Sequence, residues 1–474
     1  MSGSIIEYVP NRPARETDPE RELMSILAKS ARKWLSEEAL PLWWNKGFDW
    51  QTGTWRESLN QEGQPTEQDR RARVQGRQTY VFALADCMNI SGPWDVLVHA
   101  GFDSITNRYT GYNGLLHTVL NHEGMPVDPS NKLYDQTFVL LALATARHKI
   151  DYAQHRALEL LVKVEQKYRR ADGIGFVENC AQHPFQSNAH MHLFEAAIAW
   201  SEACRDDRVN GELWESLASE IAELARTKFI DANGGFLREF FNSQWKPKEG
   251  PDGTVVEPGH QFEWAWLLAR WARFTGEEIY YQLAERLFRC GAKGISQKHG
   301  AAVNTMDNYL NMVTDEARLW PQTEWLKAAL ILFEGAEGFM RCYYLAQIEA
   351  AYSALEKYLD TPVKGLWYDK VQPNGQMQDG VAPASSFYHI ACAIDQLLKT
   401  TVSLSPDENG GGGNGGGGGG SDGASGRGAA NVISLSERRD RYQRAKAQEA
   451  SVRTELNNAN AVVCGGRRKF SSFH

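Results

Sequence analysis

"GHQFEWAWLLARWARF" (259–274), followed by "EEIYYQLAERLFRC" (277–290), decides the fold. The first segment is apolar nearly all round, yet it carries His260 and Glu263 near its start. The second has an apolar stripe backed by a charged face. An all-round apolar helix belongs inside an assembly, and a one-sided helix belongs on its outside. The pair therefore predicts an inner helix followed by an outer one.

The same alternation extends in both directions. Apolar residues recur at helical spacing near 20–40, 68–90, 92–106, 133–149, 154–169, 188–204, 210–228, 259–275, 277–291, 318–334, 336–358 and 383–399. Period-two runs are scarce. Six inner–outer pairs closed into a ring predict an all-α (α/α)6 barrel of about twelve helices, with the first turns of the inner helices gathered at one mouth. An open helical solenoid is the alternative, but no fixed-period repeat supports it.

The barrel is expected over 20–400, after an N-terminal lead of 1–19. From 401 to 474 the composition changes: glycine runs between Gly410 and Gly420 lead into "SDGASGRG" (421–428), which cannot bury a core. The helix-like, locally basic "SERRDRYQRAKAQEASVRTEL" (436–456) follows. This segment reads as a disordered, flexible extension with no catalytic part.

Composition narrows the function. The 474 residues are 42% hydrophobic and 23% charged, an ordinary globular balance. A net charge of −8 offers no general basic field, which argues against nucleic acid and anionic membranes as partners. Seven cysteines without a CxxC pair fit reduced thiols better than a disulfide framework or a zinc site. The N-terminus lacks the pattern of a secretory signal, and no apolar run approaches the ~18 residues that a membrane span needs. A cytoplasmic monomer or homodimer acting on a small or uncharged molecule is the expectation.

Polar residues collect at the starts of inner helices. In "QSNAHMHLFEA" (186–196), Asn188 can cap while His190, His192 and Glu195 follow; in "PASSFYHI" (383–390), Ser385 or Ser386 caps and His389 follows. His260 and Glu263 occupy the same place in their helix. A helix N-terminus disfavours a positive imidazole, so these histidines are expected to be neutral and able to accept a proton. "RLWPQTEWLKAAL" (318–330) adds Trp320 and Glu324, with Pro321 suited to the first helical position. Arg77 enters the apolar "RVQGRQTYVFALA" (73–85), where it serves either an internal salt bridge or the site. Aromatic faces that stack on a pyranose, ringed by groups that bond its hydroxyls, favour carbohydrate as the ligand. "HMH" and His-x-x-Glu can bring metal ligands together, but no HExxH or cysteine cluster appears, so neither a metal nor a cofactor is expected.

Taken together, "RVQGRQTYVFA", "LYDQTFVLLALA", "NAHMHLFEA", "GHQFEWAWLL", "RLWPQTEWLKA" and "PASSFYHI" resemble, in matching order from about residue 20 to 400, the N-acylglucosamine 2-epimerase family. The wording is similar to its mannose isomerase and mannose-6-phosphate isomerase branch. The resemblance implies the (α/α)6 barrel, His260 and His389 as an acid/base pair, and Arg77 near the reacting carbonyl and C2. It also implies a substrate site lined by Asn188, His192, Glu263, Trp266, Trp320 and Glu324. At ~100° per residue, Trp266 lies about 120° around the helix from His260. The implied activity interconverts mannose or mannose 6-phosphate with its ketose through an enediolate. The alternatives are a 2-epimerase on N-acylglucosamine or a cellobiose-type sugar, and a glycoside hydrolase or lyase using Glu263 and Glu324.

Overall fold

The structure, a computed structural model, describes residues 19–404. The expected N-terminal lead and basic, glycine-rich tail lie outside the described residues, apart from Pro19 and residues 401–404 at the outer ends of the first and last helices. Twelve long helices span the described residues: α1 (Pro19–Lys33), α2 (Ala72–Cys87), α3 (Trp94–Ser104), α4 (Leu133–Ala146), α5 (Ala153–Tyr168), α6 (Ser187–Ala203), α7 (Arg208–Leu224), α8 (Pro258–Thr275), α9 (Glu278–Ala292), α10 (Trp320–Gly335), α11 (Gly338–Leu359) and α12 (Ala384–Ser403). Two π-helical stretches, Trp34–Ala39 and Trp43–Gly47, prolong the path of α1.

Helices α2, α4, α6, α8, α10 and α12 pack each against the next, and α12 returns to α2, so the inner ring closes. Each has an outer partner: α3, α5, α7, α9 and α11 follow their inner helices directly, while α1 packs on α12. The two ends of the chain therefore make the sixth pair. Closure leaves no uncovered helix face, which a solenoid would have at both ends.

Burial follows the sequence logic. In α8, Pro258 through Ala269 are all buried, whereas in α9 burial is confined to one stripe that includes Tyr280, Ala284, Leu287 and Phe288. Pro258 starts α8 and Gly276, at φ 78°, ends it in the left-handed conformation that glycine adopts without strain. Trp264 is fully buried and stacks on Phe194 of α6, so it packs helices together. Gly76 lets α2 approach α4, since a β-carbon there would meet Phe138 at 2.9 Å.

The loops give the barrel its polarity. Turns from inner to outer helix are short (88–93, 147–152, 204–207, 276–277 and 336–337), whereas those from outer to inner are long (105–132, 169–186, 225–257, 293–319 and 360–383). The long loops carry short antiparallel ladders, including Arg70–Arg71 with Val119–Leu120 and Ala317–Arg318 with Lys370–Val371. All of them gather at the end where the inner helices begin. No helix among the described residues is long and apolar enough to cross a membrane. The six described cysteines are unbridged, and Cys464 lies outside the described residues.

Candidate active site

A buried glutamine at the start of four inner helices fastens a long loop to the barrel. Gln75, Gln136, Gln261 and Gln322 each accept from and donate to one backbone unit, at Trp55, Leu116, Leu237 and Ala302 respectively. On α6, His190 takes this place: its Nε2 accepts from Phe176 N–H at 3.0 Å and its Nδ1 lies 2.9 Å from Gln186 O. Satisfying buried backbone groups is a structural duty, and it separates His190 from its neighbour His192.

Counting from these braces orders the site. Two residues after them stand Arg77, Phe138, His192, Glu263 and Glu324; His389 holds the matching place on α12. Two residues before stand Arg73, Tyr134, Asn188, Gly259 and Trp320, with Ser385 on α12. Residues four apart share a helix face, so the mouth carries two tiers on one wall. Gly259 is the small member of the upper tier because a β-carbon there would lie 2.4 Å from the Trp320 ring.

A cavity of about 300 Å3 opens between these tiers, lined by Arg71, Arg73, Arg77, Tyr134, Asn188, His192, Glu257, His260, Glu263, Arg318, Trp320, Ser385, Ser386 and His389. Of the expected residues, Glu324 stands just below this lining, fully buried behind His389. Trp266 is elsewhere. It lies six residues, or about 9 Å of rise, beyond His260 on another face of α8, bonds Gln396 and lines a separate cavity with Arg270 and Glu334. The 120° offset read from the sequence is the reason. Asn188 is also no cap, because α6 starts at Ser187; it lies in the first turn with Oδ1 unpartnered. The residue before α12 is Pro383, so Ser385 and Ser386 lie inside that helix.

The two catalytic candidates sit in opposite electrostatic settings. His389 donates from Nδ1 to Glu324 Oε1 at 2.8 Å, and Glu324 Oε2 is paired with Lys327 Nζ at 2.6 Å. Burial, followed by the positive Arg77 and Lys327, holds the His389 pKa well below the ordinary histidine value. His260 donates from Nδ1 to Glu239 Oε2 at 2.9 Å, with Glu257 at 3.7 Å. Burial opposes its charge, but Glu239 and Glu257 prevail and raise its pKa well above the usual range. The expectation that every helix-start histidine is neutral therefore fails at His260, where two nearby carboxylates outweigh a helix terminus. His192 is pushed down to about 4, chiefly by burial, against its 3.2 Å bond to Glu195.

Trp320 lies between the pair, its ring centroid 5.1 Å from that of His260 and 5.7 Å from that of His389. Arg77 has no carboxylate within ion-pair distance among the described residues. Its guanidinium lies 4.2 Å from the Phe138 ring and 5.0 Å from the Tyr388 ring, and donates to Tyr134 Oη at 2.8 Å and Ser385 O at 3.3 Å. A buried cation with no anion of its own is suited to charge that arrives with a ligand. Glu263 is buried with neither carboxyl oxygen bonded, and burial together with Glu324 raises its pKa well above the carboxylate range. Its carboxyl faces the cavity with both oxygens free to bond a ligand. Donor atoms approach closely enough for a cation in three trios, His192–Glu195–Glu263, Glu239–Glu257–His260 and Glu263–Glu324–His389, but each histidine already has Nδ1 on a carboxylate.

The sequence profile of N-acylglucosamine 2-epimerase (GlcNAc 2-epimerase) matches residues 53–393. The chain belongs to this family. The mannose-6-phosphate isomerase of Rhizobium meliloti (strain 1021) is 43% identical over 375 residues, 77% of this chain and 95% of that protein. A D-mannose isomerase of Thermobifida fusca is 26% identical over 354 residues, covering 69% and 82%. Among solved structures, a D-mannose isomerase superposes with a TM-score of 0.71 at 20% identity over 79% of this chain and 97% of that one. The cellobiose 2-epimerase of Bacillus thermoamylovorans B4167 gives 0.70 at 17%, covering 79% and 99%. These two confirm the barrel, and membership makes the protein an enzyme of sugar isomerisation.

Within the family barrel, several participants had no distinctive sequence signal. Glu239 and Glu257 come from a loop of no regular pattern, and Arg71 from a two-residue strand. Lys327 did have one: a lone charge in the apolar "WLKAALILF", the same kind of clue that singled out Arg77.

Proposed function

We propose that the protein is an aldose–ketose isomerase that interconverts mannose 6-phosphate and fructose 6-phosphate. The observation that carries this reading is the pair His260 and His389, in opposite charge settings on either side of Trp320, with the unpaired Arg77 in the same cavity. Removing the C2 proton of an open-chain aldose needs a neutral base, and the oxygen charge that develops needs a donor and a fixed cation. A neutral His389, a protonated His260 and Arg77 supply those three parts. Glu263, His192 and Asn188 offer bonds to sugar hydroxyls, and Trp320 offers an aromatic face.

The 6-phosphate is favoured by the cavity's charge. Arg71, Arg73 and Arg318 line it in addition to Arg77, and each has a carboxylate partner that orients its guanidinium while leaving donors over: Glu57 at 2.6 Å, Asp135 at 3.0 Å and Asp369 at 3.5 Å. Arg56, close in sequence, instead faces Asp49 and Glu67 and does not line the cavity. The relative at 43% identity bears the name of the phosphate-dependent activity. For Arg73→Gln and Arg318→Gln we expect KM for mannose 6-phosphate to rise about tenfold or more, the scale of one lost charge-assisted contact, with activity on free mannose little changed. Equal turnover of the two substrates by the unaltered protein, assayed with chelator present, would remove the phosphate from the proposal.

The two histidines also suit return of the proton to the opposite face of C2, and glucose 6-phosphate among the products would mark that epimerase outcome. The hydrolase alternative loses support from Glu324, which faces His389 and Lys327 and does not line the cavity.

A further inference from the structure

We infer that Lys327, a residue outside the substrate cavity, is a positioning residue that acts through Glu324 to make His389 the proton-abstracting base. The inference rests on the isomerase reading above and adds a division of labour between the two histidines.

Lys327 is one turn beyond Glu324 on α10, is fully buried, and has its Nζ 2.6 Å from Glu324 Oε2 and 3.9 Å from the centre of the Trp266 ring. Burying an ammonium is costly unless it is paired, so a lysine at this depth needs a compensating anion, and Glu324 provides it. The other oxygen of the same carboxylate receives His389 Nδ1–H. One carboxylate thus stands between a permanent cation and a titratable imidazole. With its charge already met by Lys327, Glu324 can fix the tautomer of His389 without stabilising an imidazolium. The proton stays on Nδ1, and Nε2 keeps its lone pair.

The matching dyad lacks that cation. Glu239 Oε2 receives His260 Nδ1–H, its Oε1 has no bonded partner, and Glu257 adds a second carboxyl. The same His–Glu hydrogen bond therefore favours a protonated ring at His260 and a neutral one at His389. Other groups reach His389 from α2, α6, α8 and its own helix. Arg77 on α2 and His192 on α6 disfavour its charge, and Glu195 on α6 favours it. Glu263 on α8 is close to it, with its pKa raised by burial and by Glu324, while Tyr388, its neighbour on α12, bonds Glu195. Lys327 is the member of this set that touches Glu324 directly.

In the pH profile of kcat/KM, activity rises as His389 loses its proton and falls as His260 loses its own. For Lys327→Met we expect the acid limb to move up by at least one pH unit, which lowers kcat/KM about tenfold at any pH below both midpoints. The alkaline limb and KM on the plateau should remain unchanged. Lys327→Arg should restore the limb, and adding Glu324→Gln to Lys327→Met should lower it again. A folded Lys327→Met protein whose acid limb stays in place overturns the inference. A measurement on the unaltered protein covers the case in which the variant does not fold. With 15N-labelled histidine, His389, assigned from the signal lost in His389→Gln, should be the neutral Nδ1–H tautomer at pH 7 while His260 is an imidazolium. An imidazolium at His389, or the Nε2–H tautomer, overturns the inference. Failure of the protein to isomerise any sugar would defeat the isomerase reading, whereas the NMR result tests the His389 tautomer and charge that the inference requires independently.

Discussion

Replacing His389 by Gln is expected to lower kcat for mannose 6-phosphate by about 10²–10⁴-fold, the usual worth of a positioned acid–base group, with little change in KM. Gln fills a similar volume and can still donate to Glu324, so the floor of the cavity should survive. What it cannot do is accept a proton. The neighbours that hold His389 neutral, Arg77 and Lys327 above all, disfavour any replacement cation and offer no substitute base. Circular dichroism and a thermal melt of the variant should match the parent. Retention of more than a tenth of the turnover would show that His389 is not the base.

Replacing Arg77 by Lys is expected to cost about 10²–10³ in kcat, the range for removing one donor to a developing oxyanion, and the loss should appear in kcat more than in KM. The substitution keeps the positive charge, so charge alone is not what is tested. A planar guanidinium can lie against Phe138 and Tyr388 while its edge donates to Tyr134 and Ser385. An ammonium has neither the flat face nor the fork. Steady-state kinetics with the 6-phosphate decide the matter. A rise in KM at unchanged kcat would reassign Arg77 to ground-state binding.

Much of this arrangement was legible in the chain because helical period reports burial directly. The contrast between 259–274 and 277–290 separates an inner helix from an outer one, and the same contrast along the chain orders the ring. His192, His260, Glu263, Trp320 and His389 were legible because polar and aromatic residues at the start of an all-round apolar helix stand at its mouth, although His190, in the same stretch as His192, braces a loop instead. Trp266 was misplaced for a reason the sequence already contained: its angle and depth on α8 put it on a different wall. Glu239 was not legible. It lies in a loop whose path is set by the Gln261–Leu237 brace, a contact between residues 24 apart that no local pattern announces.

The charge of a histidine was harder to read than its position. Two imidazoles near the starts of inner helices, His260 third in α8 and His389 sixth in α12, diverge because one shares its carboxylate with Lys327 and the other faces two carboxyls. Helix dipoles act on the scale of ~0.3–1 kcal/mol at exposed termini, and in a buried cavity the nearest charged side chains outweigh them.

Proton abstraction at C2 by a histidine pair can be followed by incubating the unaltered protein with mannose 6-phosphate in heavy water and observing the sugar by NMR. Proton abstraction predicts fructose 6-phosphate with solvent deuterium at C1, and loss of the C2 proton from the recovered mannose 6-phosphate. Ketose formed with the C2 hydrogen fully retained, or no ketose from either mannose 6-phosphate or mannose, would contradict it.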